Sequence, residues 1–127
     1  MTIHWRISLA AAILMAVSSS AQADATGVWR TEKGKDGAIG IVQIHKCGSQ
    51  YCGKIVGAIG KKPRIGLVIV KDMKKDGKTY SGGQIYAPDD DRWYSAKMVE
   101  QGAGKLKVSG CVLGGLICRG QVWTRQK

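Results

Sequence analysis

The chain has 127 residues, 44% of them apolar and 23% charged, with 18 Gly, 4 Cys, 2 Pro and no Phe. That length fits one domain, and the composition excludes disorder and a coiled coil. A formal net charge of +11 makes the protein strongly basic, which bears on the surfaces it attracts and not on its fold.

Residues 1–23 read as a secretory signal peptide. Arg6 supplies the basic start, residues 7–17 form an apolar run too short to span a bilayer, and Ala21-Gln22-Ala23 is a small-x-small cleavage pattern. Cleavage is expected before Asp24. Residues 24–127 then form a single domain, periplasmic or secreted. The competing reading of the leader is an uncleaved N-terminal anchor. No transmembrane segment is expected in the mature chain, and His45 is the one histidine left in it.

The mature chain reads as strand after strand. Residues 26–31 hold Trp29. Residues 38–46 (AIGIVQIHK) are rich in β-branched side chains, and 51–59 return from them. Lys61-Lys62-Pro63 breaks the pattern before a compact apolar run at 64–71. Asp76-Gly77 is the strongest hairpin signal, followed by strands at 79–86 and 93–100 around the Pro88-Asp89-Asp90-Asp91 turn. The last hairpin joins 105–111 to 117–125. Turn signals recur about every ten residues and no window has helical periodicity. This predicts an all-β protein of about eight antiparallel strands, a meander closed into an up-and-down barrel, with an open sandwich as the alternative.

All four cysteines lie in the exported part, where an even count reads as two disulfides. Four cysteines allow three connectivities, and local geometry favours two hairpin clips. A turn at Gly114-Gly115 sets Cys111 opposite Cys118, and a turn at Ser49-Gln50 sets Cys47 opposite Cys52. The spacings do not match zinc sites or a redox C-x-x-C.

Gly27-Val28-Trp29, together with Trp123-Thr124-Arg125, resembles the calycin (lipocalin-like) pattern. That resemblance implies a first-strand Trp29 beneath the barrel floor with Arg125 across its ring, a cation–π pair. A longer match runs through Gly27-Val28-Trp29-Arg30-Thr31, then Cys47-Gly48, Tyr51-Cys52-Gly53-Lys54-Ile55, and Gly82-Gly83-Gln84-Ile85-Tyr86-Ala87-Pro88 with Tyr94. It ends on Gly110-Cys111 and on Cys118-Arg119-Gly120-Gln121 with Trp123-Thr124-Arg125. On these residues the chain resembles the exported bacterial proteins of domain-of-unknown-function family 2147. The resemblance implies a small lipocalin-like barrel and no established activity. Ala87 and Asp91-Arg92 depart from the family pattern, which commonly has Asp at the first position and Asp-Gly at the second.

The chemistry-bearing residues do not assemble into an enzyme. His45 lacks a nucleophile or carboxylate partner at a recognisable spacing. Asp89-Asp90-Asp91 lacks the alternation of a calcium loop. No catalytic residue, metal ligand or cofactor is expected. Strand alternation puts Tyr80, Gly82, Gln84 and Tyr86 on one face, with Gly83 and Ile85 on the other. Gly82-Gly83 within a strand indicates a bulge or close backbone approach. Tyr80, Tyr86 and Trp93 are therefore the candidate lining of a pocket for a small apolar or amphipathic ligand, although a barrel this short can also fill with its own side chains. The alternative function is a basic envelope protein that binds acidic lipids or glycans through lysine and arginine. Lys54, Lys61, Lys62 and Arg64 form one cluster, Lys71, Lys74, Lys75 and Lys78 a second, and Lys105 and Lys107 a third. Export makes nucleic acid an improbable partner.

Overall fold

The computed structural model describes residues 24–126; the predicted signal peptide lies outside them. Eight antiparallel strands follow one another around a closed barrel: β1 (Gly27–Arg30), β2 (Ile39–Cys47), β3 (Gln50–Ile59), β4 (Val68–Asp76), β5 (Thr79–Ala87), β6 (Arg92–Glu100), β7 (Lys105–Val112) and β8 (Ile117–Arg125). β1 pairs with β2 along its whole length and with β8 through Trp29↔Arg125 and Arg30↔Thr124. This is the up-and-down barrel that evenly spaced strands and turns predict.

Alternation along the strands divides inside from outside. In β7, Leu106 and Val108 are buried between exposed Lys105 and Lys107; in β6, Ala96 and Met98 flank exposed Lys97. Burial of Ile44, Met73, Met98 and Leu106 stabilises by about 1.5–3 kcal/mol each. These side chains fill one half of the barrel. At that end the connections are short: residues 48–49, 77–78 and 101–104.

Three local features differ from the sequence pattern. The fourth strand begins at Val68, not at residue 64, and continues to Asp76. Residues 64–67 form a turn in which Leu67 N–H donates to the Arg64 carbonyl (3.1 Å), and Gly66 N–H and the Leu67 carbonyl bond to Ile55. Residues 72–75, beyond the apolar run at 64–71, stay in the sheet with Lys74 and Lys75 outward and Met73 inward.

The first disulfide hairpin turns at Gly48-Ser49, one residue earlier than expected. Cys47 pairs with Gln50 and His45 with Cys52. Gly48 has φ +67°, a conformation that calls for glycine at the first turn position and so fixes the register. The Cys47–Cys52 bond therefore runs diagonally, with Cα atoms 6.0 Å apart. The second clip, Cys111–Cys118, joins directly opposed residues.

The third feature is a double irregularity in neighbouring strands. Gly82 has φ +78° and Asp72 φ +60°, and the β5–β6 register shifts between Tyr80 and Gly83. The extra residue reverses the inside–outside parity of β5. Tyr80 and Gly83 both become buried, with Ser81 and Gly82 exposed between them. A Cβ on Gly83 would lie 2.1 Å from the Lys71 carbonyl oxygen and 2.6 Å from Met73 Sδ, so the glycine permits contact that no other residue does.

Candidate functional site: a floored cavity with a charged mouth

The short-turn end is sealed by residues 24–26. Tyr80 Oη accepts a hydrogen bond from Ala25 N–H (2.8 Å), and Trp29 Nε1 donates to the Ala25 carbonyl (2.8 Å). The Arg125 guanidinium lies 4.4 Å from the Trp29 ring centroid, as the lipocalin-like pattern implies. It also donates to the carbonyls of Thr26 (2.7 Å), Asp24 (2.9 Å) and Ala103 (2.9 Å). Tyr51 packs edge-on against Tyr80, with centroids 5.1 Å apart, and its hydroxyl donates to Asp24 (3.0 Å). Burial works against the charge on Asp24, but hydrogen bonds from Thr26 and Tyr51 outweigh it and, with Lys46 nearby, hold the carboxyl below its ordinary range. Burial pushes the Tyr80 hydroxyl well up, only partly offset by the Ala25 hydrogen bond.

Above this floor the barrel is not filled. A cavity of about 640 Å³ opens at the other end, within the range of roughly 300–1,000 Å³ typical of small-molecule sites. Its walls are apolar: Ile55 from β3, Leu67 and Ile69 from the start of β4, Ile85 from β5, Val108 from β7 and Trp123 from β8. Polar side chains also line it: Thr31, Gln121 and Arg119 on the strands, and, towards the mouth, the acids Glu32, Asp36, Asp89 and Asp90 with the cations Lys61, Arg64 and Arg92. The mouth is built by the connections at residues 31–38, 60–67, 88–91 and 113–116.

Charges gather at that mouth. Lys61 pairs with Asp36 at 3.2 Å, and Glu32 Oε2 accepts from Val122 N–H (2.5 Å). Tyr94 Oη donates to Asp90 (2.9 Å), and Tyr86 Oη donates to Asp91. These carboxylates raise both tyrosine pKa values. Asp91 takes φ +50°, a left-handed conformation that Asp tolerates; the turn that departs from the family pattern closes this way. Arg92 lies 5.5 Å from the Tyr94 ring.

Of the three candidate lining residues, Tyr86 and Trp93 meet and Tyr80 lies apart from them. Tyr80 is in the floor, near the start of β5 beside the short 77–78 turn, and the bulge after it puts Tyr86 on the opposite parity. Tyr86 reaches the cavity at its mouth, and its ring stands 5.3 Å from Trp93. Trp93 is outside the cavity lining, half-covered by Lys71, whose Nζ is 4.1 Å from the ring centroid. Arg119 and Gln121, absent from the candidate lining, are legible in the sequence: counting back by twos from the inward Trp123 reaches both.

The fold is that of a lipocalin-like barrel. The HP1028 protein of the human pathogen Helicobacter pylori, described as belonging to the lipocalin family, superposes with a TM-score of 0.73 at 17% identity, over 80% of this chain and 82% of that one. A family model described as "Uncharacterized protein conserved in bacteria (DUF2147)" matches residues 27–125, and the chain belongs to that family. Comparison with the curated proteins finds no match.

Proposed function

We infer that this protein is a non-enzymatic, extracytoplasmic binder of a small apolar or amphipathic molecule, held in the barrel cavity. The observation that carries this reading is the unfilled, apolar upper half of the barrel above a tightly bonded floor. The two disulfides suit an oxidising compartment, periplasmic or secreted. Among the described residues no helix is long and apolar enough to cross a membrane, and no group of three or more His, Cys, Asp or Glu is placed to hold a metal ion.

A second reading, a basic envelope protein for acidic lipids or glycans, draws on the outer wall. Lys71, Lys97, Lys105 and Lys107 stand opposite Gln84, Ser109, Thr124 and Val99 or Val122, with no acid in register. Native mass spectrometry of mature protein from the periplasm, followed by denaturation, separates the two. A defined small molecule released on unfolding is expected. A bare protein mass, together with no uptake of a neutral apolar dye, overturns the cavity reading in favour of the basic wall.

A further inference from the structure

The charges at the cavity mouth are unequally satisfied. Four of the five acids there have partners: Glu32 on a backbone N–H, Asp36 on Lys61, Asp90 on Tyr94 and Asp91 on Tyr86; Asp89, also in the lining, has none among the described residues. The arginines are differently placed. Among the described residues the one ion pair is Lys61–Asp36, so Arg64, Arg92 and Arg119 have no carboxylate within ion-pair distance. The Arg92 guanidinium lies 5.5 Å from the Tyr94 ring centroid. Arg119 lines the cavity itself, on the same inward parity as Gln121 and Trp123, and no hydrogen-bond partner is found for it among the described residues.

A guanidinium carries fixed charge and a fork of donors matched to planar or tetrahedral oxyanions. Arg119 and Arg92 are exposed at the rim, where water screens charge, so the preference for an anion comes from the forked donors set beside the apolar wall. Below it, Ile55, Ile69 and Ile85 offer a surface suited to a hydrocarbon chain.

We propose that the ligand is an anionic single-chain amphiphile, its headgroup held at the mouth by Arg119 with Arg92 and its tail lowered along the wall towards Trp123. The proposal rests on the cavity reading above and specifies the chemistry of its occupant. Carboxylate and phosphate headgroups share that chemistry.

Displacement of a neutral dye, N-phenyl-1-naphthylamine, from the purified mature protein provides the test. Dodecanoate, dodecyl phosphate, dodecan-1-ol and dodecyltrimethylammonium share one tail and differ in the head. The anions are expected to displace the dye at concentrations at least about tenfold below the alcohol, a difference of about 1.4 kcal/mol. The ammonium compound should be weakest. The order of the two anions identifies the headgroup. Arg119→Gln should bring the best anion to within about twofold of the alcohol and leave the alcohol unchanged. Arg92→Gln should have a smaller effect in the same direction and serves if the first variant fails to fold. Equal displacement by all four compounds, or an anion preference that survives the double variant, overturns the proposal while leaving the cavity reading intact. Failure of the dye to bind overturns both.

Discussion

The two ends of this barrel are built on opposite principles. At one end the connections are short, three backbone carbonyls converge on Arg125, and the aromatic side chains of Trp29, Tyr51 and Tyr80 each have a partner. At the other the connections are longer, and Ile65, Leu113 and Leu116 stand 65%, 68% and 85% exposed. Both ends carry one disulfide hairpin, so cross-linking does not distinguish them. The difference is in how the polar groups are used. The floor spends them on its own backbone, whereas the mouth leaves its arginines without acids. On the proposed reading the open end meets the ligand, and the floor is expected to carry the stability.

The largest expected effect tests how tightly the lower barrel is packed. Gly83→Ala drives a methyl group into the backbone at Lys71 and Asp72, with 2.1 Å and 2.7 Å separations before relaxation. Chemical denaturation should show a loss of about 3 kcal/mol or more. Gly104→Ala has nothing within 4 Å of its new Cβ and should change stability by less than about 0.5 kcal/mol. If both substitutions are equally mild, the floor is looser than its geometry indicates.

A smaller loss is expected for Tyr80→Phe. It removes the acceptor for the Ala25 N–H and should cost about 1–3 kcal/mol, seen as a fall in Tm of about 4–8 °C for each kcal/mol. The contrasting change at the mouth, Leu116→Ser, should stay within about 0.5 kcal/mol. A reversed order in thermal scans would contradict the assignment of stability to the floor.

The smallest effect is electrostatic. Asp24 has a depressed carboxyl pKa in the folded protein, so its contribution is present above the ordinary carboxylate value of about 3.9. It is lost as the pH falls from there through the folded value. Relative to Asp24→Asn, the native protein should lose additional stability on acidification from pH 5 to pH 3. Solvent screening keeps the difference at neutral pH to about 1 kcal/mol or less. Parallel denaturation curves for the two proteins across that range would remove Asp24 from the floor's bonding.

Much of this fold is legible in the sequence. Period-two patterning and punctuation by glycine give the eight strands, because each strand presents one face to a core. The Trp29–Arg125 pairing follows from a resemblance and has a physical cause in the stacked cation. The site was less legible. Alternation assigns Tyr80 and Tyr86 to one face only if no residue is inserted between them, and the bulge at Gly82 inserts one. The Gly82-Gly83 signal announced an irregularity but not its effect on parity. The mouth is harder still: whether Asp36 is engaged depends on Lys61, distant in sequence, and whether Asp90 is engaged depends on a turn that brings Tyr94, four residues on, back to it.

The stitching of the floor also makes the molecule's connectivity nearly circular. Arg125, at the end of β8, grips the carbonyls of Asp24 and Thr26, and Gln126 N–H donates to the Val28 carbonyl at 2.7 Å. The first and last described segments are thus neighbours, and the order in which the strands are threaded is not imposed by the sheet. A rearranged gene that links residue 126 to residue 24 and begins the chain at the exposed Gly114-Gly115 tip would encode the same ring of strands. The Cys111–Cys118 bond would then hold the new ends together.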